Sequence, residues 1–167
     1  VLLEGGRFFV LADRAIGEAG SSGHEARVAL RDGEEALVKC DVCGALGYRR
    51  GQALNGKRNR VYVLRFPRRE VPEAERFWSL TAYLPGSIQL VPNKAKKYVV
   101  ASYTSGLERN RDGSISIYMS KRRPLGVAAA NWLPVPAGKF NVMLRVYGPK
   151  GNTAGSGYLP PAVGLRK

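Results

Sequence analysis

Residues 131–150 read NWLPVPAGKFNVMLRVYGPK, and within them 139–148 is the longest unbroken strand pattern in the chain. Phe140, Val142, Leu144 and Val146 alternate with Asn141, Met143, Arg145 and Tyr147. Successive side chains of a strand point to opposite faces, so the first set marks a core face and the second a polar, aromatic one. Pro134, Pro136 and the Ala137-Gly138 pair make a turn-rich lead into the strand.

The same alternation extends upstream. In VYVLRF (61–66), Tyr62, Leu64 and Phe66 share a face; in FWSLTAYL (77–84), Trp78, Leu80, Ala82 and Leu84 oppose Phe77, Ser79, Thr81 and Tyr83. KYVVASY (97–103) is a fuller apolar run, and the RDG turn at 111–113 leads into SISIYMS (114–120), with Ile115, Ile117 and Met119 inward. Asn55-Gly56 reads as a tight-turn pair. Short strands separated by frequent turn signals predict a mainly β fold, a jelly-roll-like β-sandwich. The Gly- and Pro-rich tail, 149–167, is not expected to be a core element. In the first third, Phe8, Leu11, Ala15 and Ala19 fall near one helical face that Gly20 and Gly23 end. The expectation is therefore an N-terminal helical or irregular annex over 1–33 and a single sandwich domain over 34–167. HEARVAL (24–30) and GEEALVKC (33–40) fit a helical turn and a short strand equally well.

Composition sets the outer limits. The chain has 167 residues, 44% of them apolar, with 20 Gly and 10 Pro, which suits one turn-rich globular domain. No apolar run approaches the roughly 20 residues that a bilayer span requires. The opening segment carries Glu4, Arg7 and Asp13, so it is no signal-peptide core. The sequence starts at Val1 rather than Met, which points to a processed chain or a fragment; an exported or periplasmic location is the expectation.

Charge is unevenly placed. The net is +14, yet residues 1–41 hold eight acids and five bases, a net of −3, which leaves +17 on residues 42–167. No acid follows Asp112. Such a field concentrates anions, so nucleic acid, an acidic glycan or an acidic partner domain all fit, against the plain alternative of an Arg-rich solvated surface.

Motifs for chemistry are few. Cys40 and Cys43 form one CDVC, half a zinc site, and the sole histidine is His24, so no metal is expected. A Ser-His-Asp triad needs a positioned histidine and a GxSxG elbow, and neither is readable. GPKGNTAGSG (148–157) lacks the Lys-Ser/Thr ending of a phosphate loop. No cofactor is expected. Of the acids in the β region, Glu73 and Glu75 read as a solvated connector, Asp112 as a turn residue capping its own backbone, and Glu108 as a partner for Arg109 or Arg111.

Several blocks carry a resemblance. RFWSLTAY (76–83), VPNKAKKYVV (91–100), NRDGSISIYMS (110–120), the 131–150 segment and LPPAVGLRK (159–167) occur in order. Together they resemble the C-terminal domain of bacterial tandem β-sandwich proteins, the family of domain of unknown function 1214. LNGKRNRVYVLRF (54–66) is similar to its first strand and EEAL (34–37) to the end of its leading helix. The resemblance implies a jelly-roll-like sandwich, without a settled activity. Longer members carry a second, N-terminal sandwich, and a short stand-alone form exists. GALGYRRG (44–51) departs from the family by lacking the aspartate of its Asp-Gly turn.

The outward set is the candidate site: Arg65; Ser79, Thr81 and Tyr83; Ser116 and Tyr118; Asn141, Arg145 and Tyr147. Were the strands neighbours, these hydroxyls, rings and guanidinium groups would form one surface suited to sugars and acidic polymers. Thr and Tyr are also simply good strand formers. Asn131 is expected to tie down a loop and Trp132 to plug one end of the core. The ligand-binding candidates are thus Arg65, Tyr83, Tyr118, Asn131, Trp132, Arg145 and Tyr147. The expected function is non-enzymatic binding of an anionic or polyhydroxylated partner such as a glycan. The alternatives are a glycan-active hydrolase and a structural domain that docks another β-sandwich or a polyanion such as nucleic acid.

Overall fold

The computed structural model describes residues 54–85, 89–154, 158 and 160–166 in full and, for 6–12, 15–19, 25–30 and 35–39, the backbone. His24, Cys40, Cys43 and GALGYRRG lie outside the described residues. The fold is mainly β, with two sheets packed face to face. The strands are β1 (Gly6–Ala12), β2 (Ala15–Ala19), β3 (Glu25–Leu30), β4 (Glu35–Lys39), β5 (Leu54–Asn55), β6 (Tyr62–Phe66), β7 (Ala74–Tyr83), β8 (Val99–Ala101), β9 (Ile115–Ser120), β10 (Trp132–Pro134), β11 (Lys139–Pro149) and β12 (Gly164–Leu165). The large sheet has eight strands in the order β4-β3-β2-β1-β11-β7-β8, with β5 also on β11; the small sheet has four, β10-β9-β6-β12.

The core lies between the sheets. Leu80, Val142, Leu144 and Val146 from the large sheet meet Leu64, Phe66, Ile117, Met119 and Leu133 from the small one. Apart from Leu133, on β10, these are the residues that alternation turned inward in β6, β7, β9 and β11. The buried Tyr62 hydroxyl bonds the backbone N–H and C=O of Asn55 at 3.1 and 3.2 Å, which anchors β5 to β6.

Three expectations are corrected. The helical segment is not found among the described residues of the first third, which form antiparallel strands, and 35–39, which overlaps the EEAL block, is strand as well. An apolar run as short as FFVL satisfies both periods, and periodicity alone cannot arbitrate; here β1 lies antiparallel to β11 in the register Phe8↔Arg145. Asn55-Gly56 is not the turn. The left-handed residues are Arg58 and Asn59, at φ 57° and 53°. Gly56 is needed for close approach: its N–H bonds Gly138 O at 3.0 Å, and a Cβ there would collide with the Pro136 carbonyl oxygen. Finally, the tail does enter the core through Tyr158 and Val163, and β12 adds an edge strand to β6. Extended, Gly- and Pro-rich backbone can lie along a sheet without forming a long strand of its own.

Candidate functional site

On the outer face of the large sheet, β7 and β11 pair in the register Tyr83↔Asn141, Thr81↔Met143, Ser79↔Arg145 and Phe77↔Tyr147. Arg145 stands opposite Ser79, four residues from Tyr83 along β7, a root separation of about 13 Å. Yet an Arg145 Nη donates to the Tyr83 hydroxyl at 2.7 Å, and the guanidinium lies 5.3 Å from the ring centroid. The two side chains therefore lean together over the Thr81 row. Ser79, Thr81 and Asn141 are buried on this face. The face is thus covered by its own long side chains rather than wet throughout.

Beside this pair runs an aromatic string. Phe77 stacks tilted on Tyr147 with centroids 4.4 Å apart, and edge-on with Tyr103 at 5.1 Å. Tyr103, just beyond β8, is 64% exposed. Alternation put Phe77 outward, but Tyr103 escaped notice because it follows the strand in a turn, where period two no longer assigns a face. Glu75 is the one acid of β7, at its start beside Gly148 and past the irregularity between Tyr147 and Pro149.

Arg65, Ser116 and Tyr118 are elsewhere. They lie on β6 and β9, on the outer face of the small sheet and across the core from Arg145. The single surface drawn from alternation is therefore two surfaces. On the second, Arg65 forms a salt bridge with Asp112 at 2.5 Å and donates to Ser114 Oγ at 3.2 Å. Asp112 accepts from the Ser114 hydroxyl at 2.6 Å and the Ser114 amide at 3.0 Å, the backbone cap expected of a turn aspartate. Asn110 donates to Ser114 Oγ and Ser116 Oγ at 2.8 and 2.9 Å. The Arg166 guanidinium sits 5.4 Å from the Tyr118 ring centroid.

Asn131 fulfils its expected role. Its Oδ1 accepts from the Glu108 amide at 2.9 Å, and its Nδ2 donates to the carbonyls of Glu108 and Ser116 at 2.9 and 3.0 Å. Glu108 is thus held by its backbone; among the described residues Arg65–Asp112 is the one salt bridge. Trp132 is not the core plug. It lies half-buried in register with Tyr118, its indole N–H donating to Ser120 O at 3.1 Å, while the neighbouring Leu133 fills the core. Parity along β10 decides this, since Trp132 and Leu133 cannot both face inward.

Asp112 is not suited to the general-acid role of a hydrolytic pair. The Asp112 carboxyl is held at about 2, chiefly by the Ser114 hydroxyl, then by the Ser114 amide, with Arg65 contributing less. A general acid must keep its proton near the working pH, and this group cannot. The depressed value means that its stabilising effect is present above the ordinary carboxylate range and lost as pH falls through about 2. NMR titration should give a side-chain midpoint near 2, moved towards 3.8 more by Ser114→Ala than by Arg65→Ala. A reversed order would mean that the arginine dominates. Glu73 stands over Gly151, a left-handed glycine, in the loop that Asn152 clamps through Glu73 N, Arg69 O and Val71 O. Among the described residues no group of three His, Cys, Asp or Glu could hold a metal ion, and no helix is long and apolar enough to cross a membrane.

Comparison with known proteins agrees with this architecture. The VPA0106 protein from Vibrio parahaemolyticus, known from a crystal structure, is similar at 29% identity with a TM-score of 0.59 over 70% of this chain. The match spans 28% of that protein's length. An uncharacterised protein from Burkholderia cenocepacia matches at 18% identity and a TM-score of 0.46, over 69% of this chain and 28% of its own. No curated protein matches the chain. Residues 46–151, which contain β5 to β11, match the family described as "Protein of unknown function (DUF1214)". This sandwich belongs to the DUF1214 family.

Proposed function

We propose that the domain is a binding module for an anionic, polyhydroxylated partner, an acidic glycan, held on the outer face of the large sheet. The observation that supports this most is the pairing of Arg145 and Tyr83 beside the Tyr147–Phe77–Tyr103 string. Arg145 is partly exposed and, among the described residues, donates one hydrogen bond, to Tyr83, which leaves further N–H donors of its guanidinium for a carboxylate. Tyr103 offers a ring face and a polar tip at the same surface. Titration calorimetry with uronate oligosaccharides, against neutral ones of equal length, tests the reading. Arg145→Ala should weaken uronate binding by about 1.5–3 kcal/mol, the range for hydrogen bonds to charged groups. Its stability cost should be about 1 kcal/mol, that of one ordinary hydrogen bond. No difference between uronate and neutral sugars, or an unfolded Arg145→Ala, would overturn it.

A second use of the same face, docking a companion β-sandwich, is favoured by the similar Vibrio protein, of which this chain matches 28% of the length. Calorimetric silence towards every sugar would turn the assignment that way.

A further inference from the structure

Among the residues whose side chains are described, the fold gathers the acids at one end of the sandwich, where Arg68, Arg69, Arg76, Arg109, Arg111 and Lys150 accompany them. Glu70 and Glu73 lie on the β6–β7 connection, Glu75 opens β7, and Glu108 and Asp112 lie on the β8–β9 connection. β6 ends where β9 begins, at Phe66↔Ile115, and β7 begins where β11 ends, at Ala74↔Pro149. The opposite end is different. It gathers Lys57, Arg58 and Arg60 ahead of β6, Lys121, Arg122 and Arg123 after β9, Lys139 opening β11, and Arg166 after β12, all exposed. Strand register joins them: Tyr62 pairs with both Met119 and Leu165, the Arg166 amide bonds Val61 O at 2.8 Å, and Lys139 pairs with Asn55. Among the residues whose side chains are described, no carboxylate shares this end; by strand register, Glu35 of β4 belongs to the same end of the large sheet, four strands away from β11.

Two leucines accompany these cations. Leu165, beside Arg166, is 50% exposed, and Leu125 is 97% exposed. Leu125 follows the Lys121-Arg122-Arg123 run directly after Pro124, in a turn closed by Val127 N–H to Pro124 O at 3.3 Å. Gly126 at φ 74° takes the left-handed position, and Arg123 Nη1 donates to Val127 O at 3.1 Å. A turn fixed in this way holds the leucine out in water. Singly exposed leucines are common; a fully exposed one on a tied turn, two residues past three cations, has a more specific use.

We propose that this end docks on an anionic lipid bilayer, Leu125 entering the headgroup boundary while the surrounding Lys and Arg meet the lipid phosphates and carboxylates. Interfacial binding combines buried apolar area with attraction to anionic lipid, and both parts are present here. A nucleic acid or acidic polysaccharide would use the cations but offers Leu125 nothing. The site is independent of the Arg145 face and of the glycan assignment.

The test is flotation of the full 167-residue chain with phosphatidylserine/phosphatidylcholine vesicles and with phosphatidylcholine alone, in about 0.1 M salt, where the Debye length is about 10 Å. The chain should bind the anionic vesicles and not the neutral ones. Leu125→Ser should lower partitioning about tenfold, the smaller end of what burying a leucine contributes, while its elution from heparin stays unchanged. K121Q/R122Q/R123Q should lower it about a hundredfold, roughly fivefold per cation, and should elute earlier from heparin. Leu125→Trp should shift its emission to the blue on anionic vesicles, a readout that needs no loss of binding. Retention on heparin without vesicle binding would mean a polyanion site and overturn the proposal. Vesicle binding indifferent to Leu125→Ser, with no emission shift in Leu125→Trp, would reduce it to charge alone and overturn it as well.

Discussion

Phe140→Ala is expected to cost about 3–5 kcal/mol, the range for removing a buried phenylalanine. Phe140 is fully buried, meets the Tyr62 ring edge-on with centroids 5.8 Å apart, and pairs with Leu54 across β5. The ring thus ties the first residues of β11 to strands of both sheets. Its loss opens a cavity where three elements meet, and the Tyr62 hydroxyl that anchors Asn55 loses its packing at the same time. Domains hold about 5–15 kcal/mol in total, so the variant should sit near the edge of folding. Met143→Ala, on the other side of the same strand and partly exposed, should cost markedly less. Urea unfolding of the two variants decides: equal losses would mean that β11 does not separate a core face from an outer one.

Asn131→Ala follows, at about 2–4 kcal/mol. The side chain is 5% exposed and serves three backbone groups, the N–H and C=O of Glu108 and the C=O of Ser116. Alanine leaves all three without that partner, and an unmet buried polar group costs about 1–3 kcal/mol. The estimate is lower than three full penalties because Glu108 is near solvent and water can replace part of what is lost. Asn131→Asp should be no milder, since a carboxylate would face two carbonyl oxygens it cannot serve. Hydrogen exchange supplies a local readout: the Glu108 amide should exchange faster in both variants. Stability within 0.5 kcal/mol of the parent, with unchanged exchange at Glu108, would show that the loop holds without the clamp.

What could be read from the residues and what could not divides along a physical line. Period-two alternation tells each strand which side faces a core, and for β6, β7, β9 and β11 it assigned the inward residues correctly, because each strand has one apolar face. It carries no information about which sheet a strand joins. Arg65, Ser116 and Tyr118 therefore seemed to share a surface with Tyr83, Arg145 and Tyr147, although the core lies between them. Turn chemistry was legible at Asp112, whose side chain has a local partner two residues on. It misled at Gly56, where glycine is required by the Pro136 backbone from a distant segment. The tail failed for a related reason: Tyr158 and Val163 are isolated apolar residues with no periodic neighbours, and only the finished sandwich gives them a place.

The position of β11 also governs how the chain comes into being. This strand lies between β1 and β7 and holds β5 as well, yet it begins at Lys139 and is made after all three of the strands it joins. Until it emerges, β1, β5 and β7 have no partner on that side, and the inward faces of β6 and β9 lack much of the opposing layer. The small sheet's central pair can form first, from β6 and β9. The large sheet must wait for its middle strand, and Tyr158 and Val163, further along the chain, then seal the core. Non-local pairing of this kind places the domain among slow folders, with open strand edges during translation. A chain cut off before β11 lacks the centre of its larger sheet, so premature termination yields a sticky fragment rather than a smaller domain.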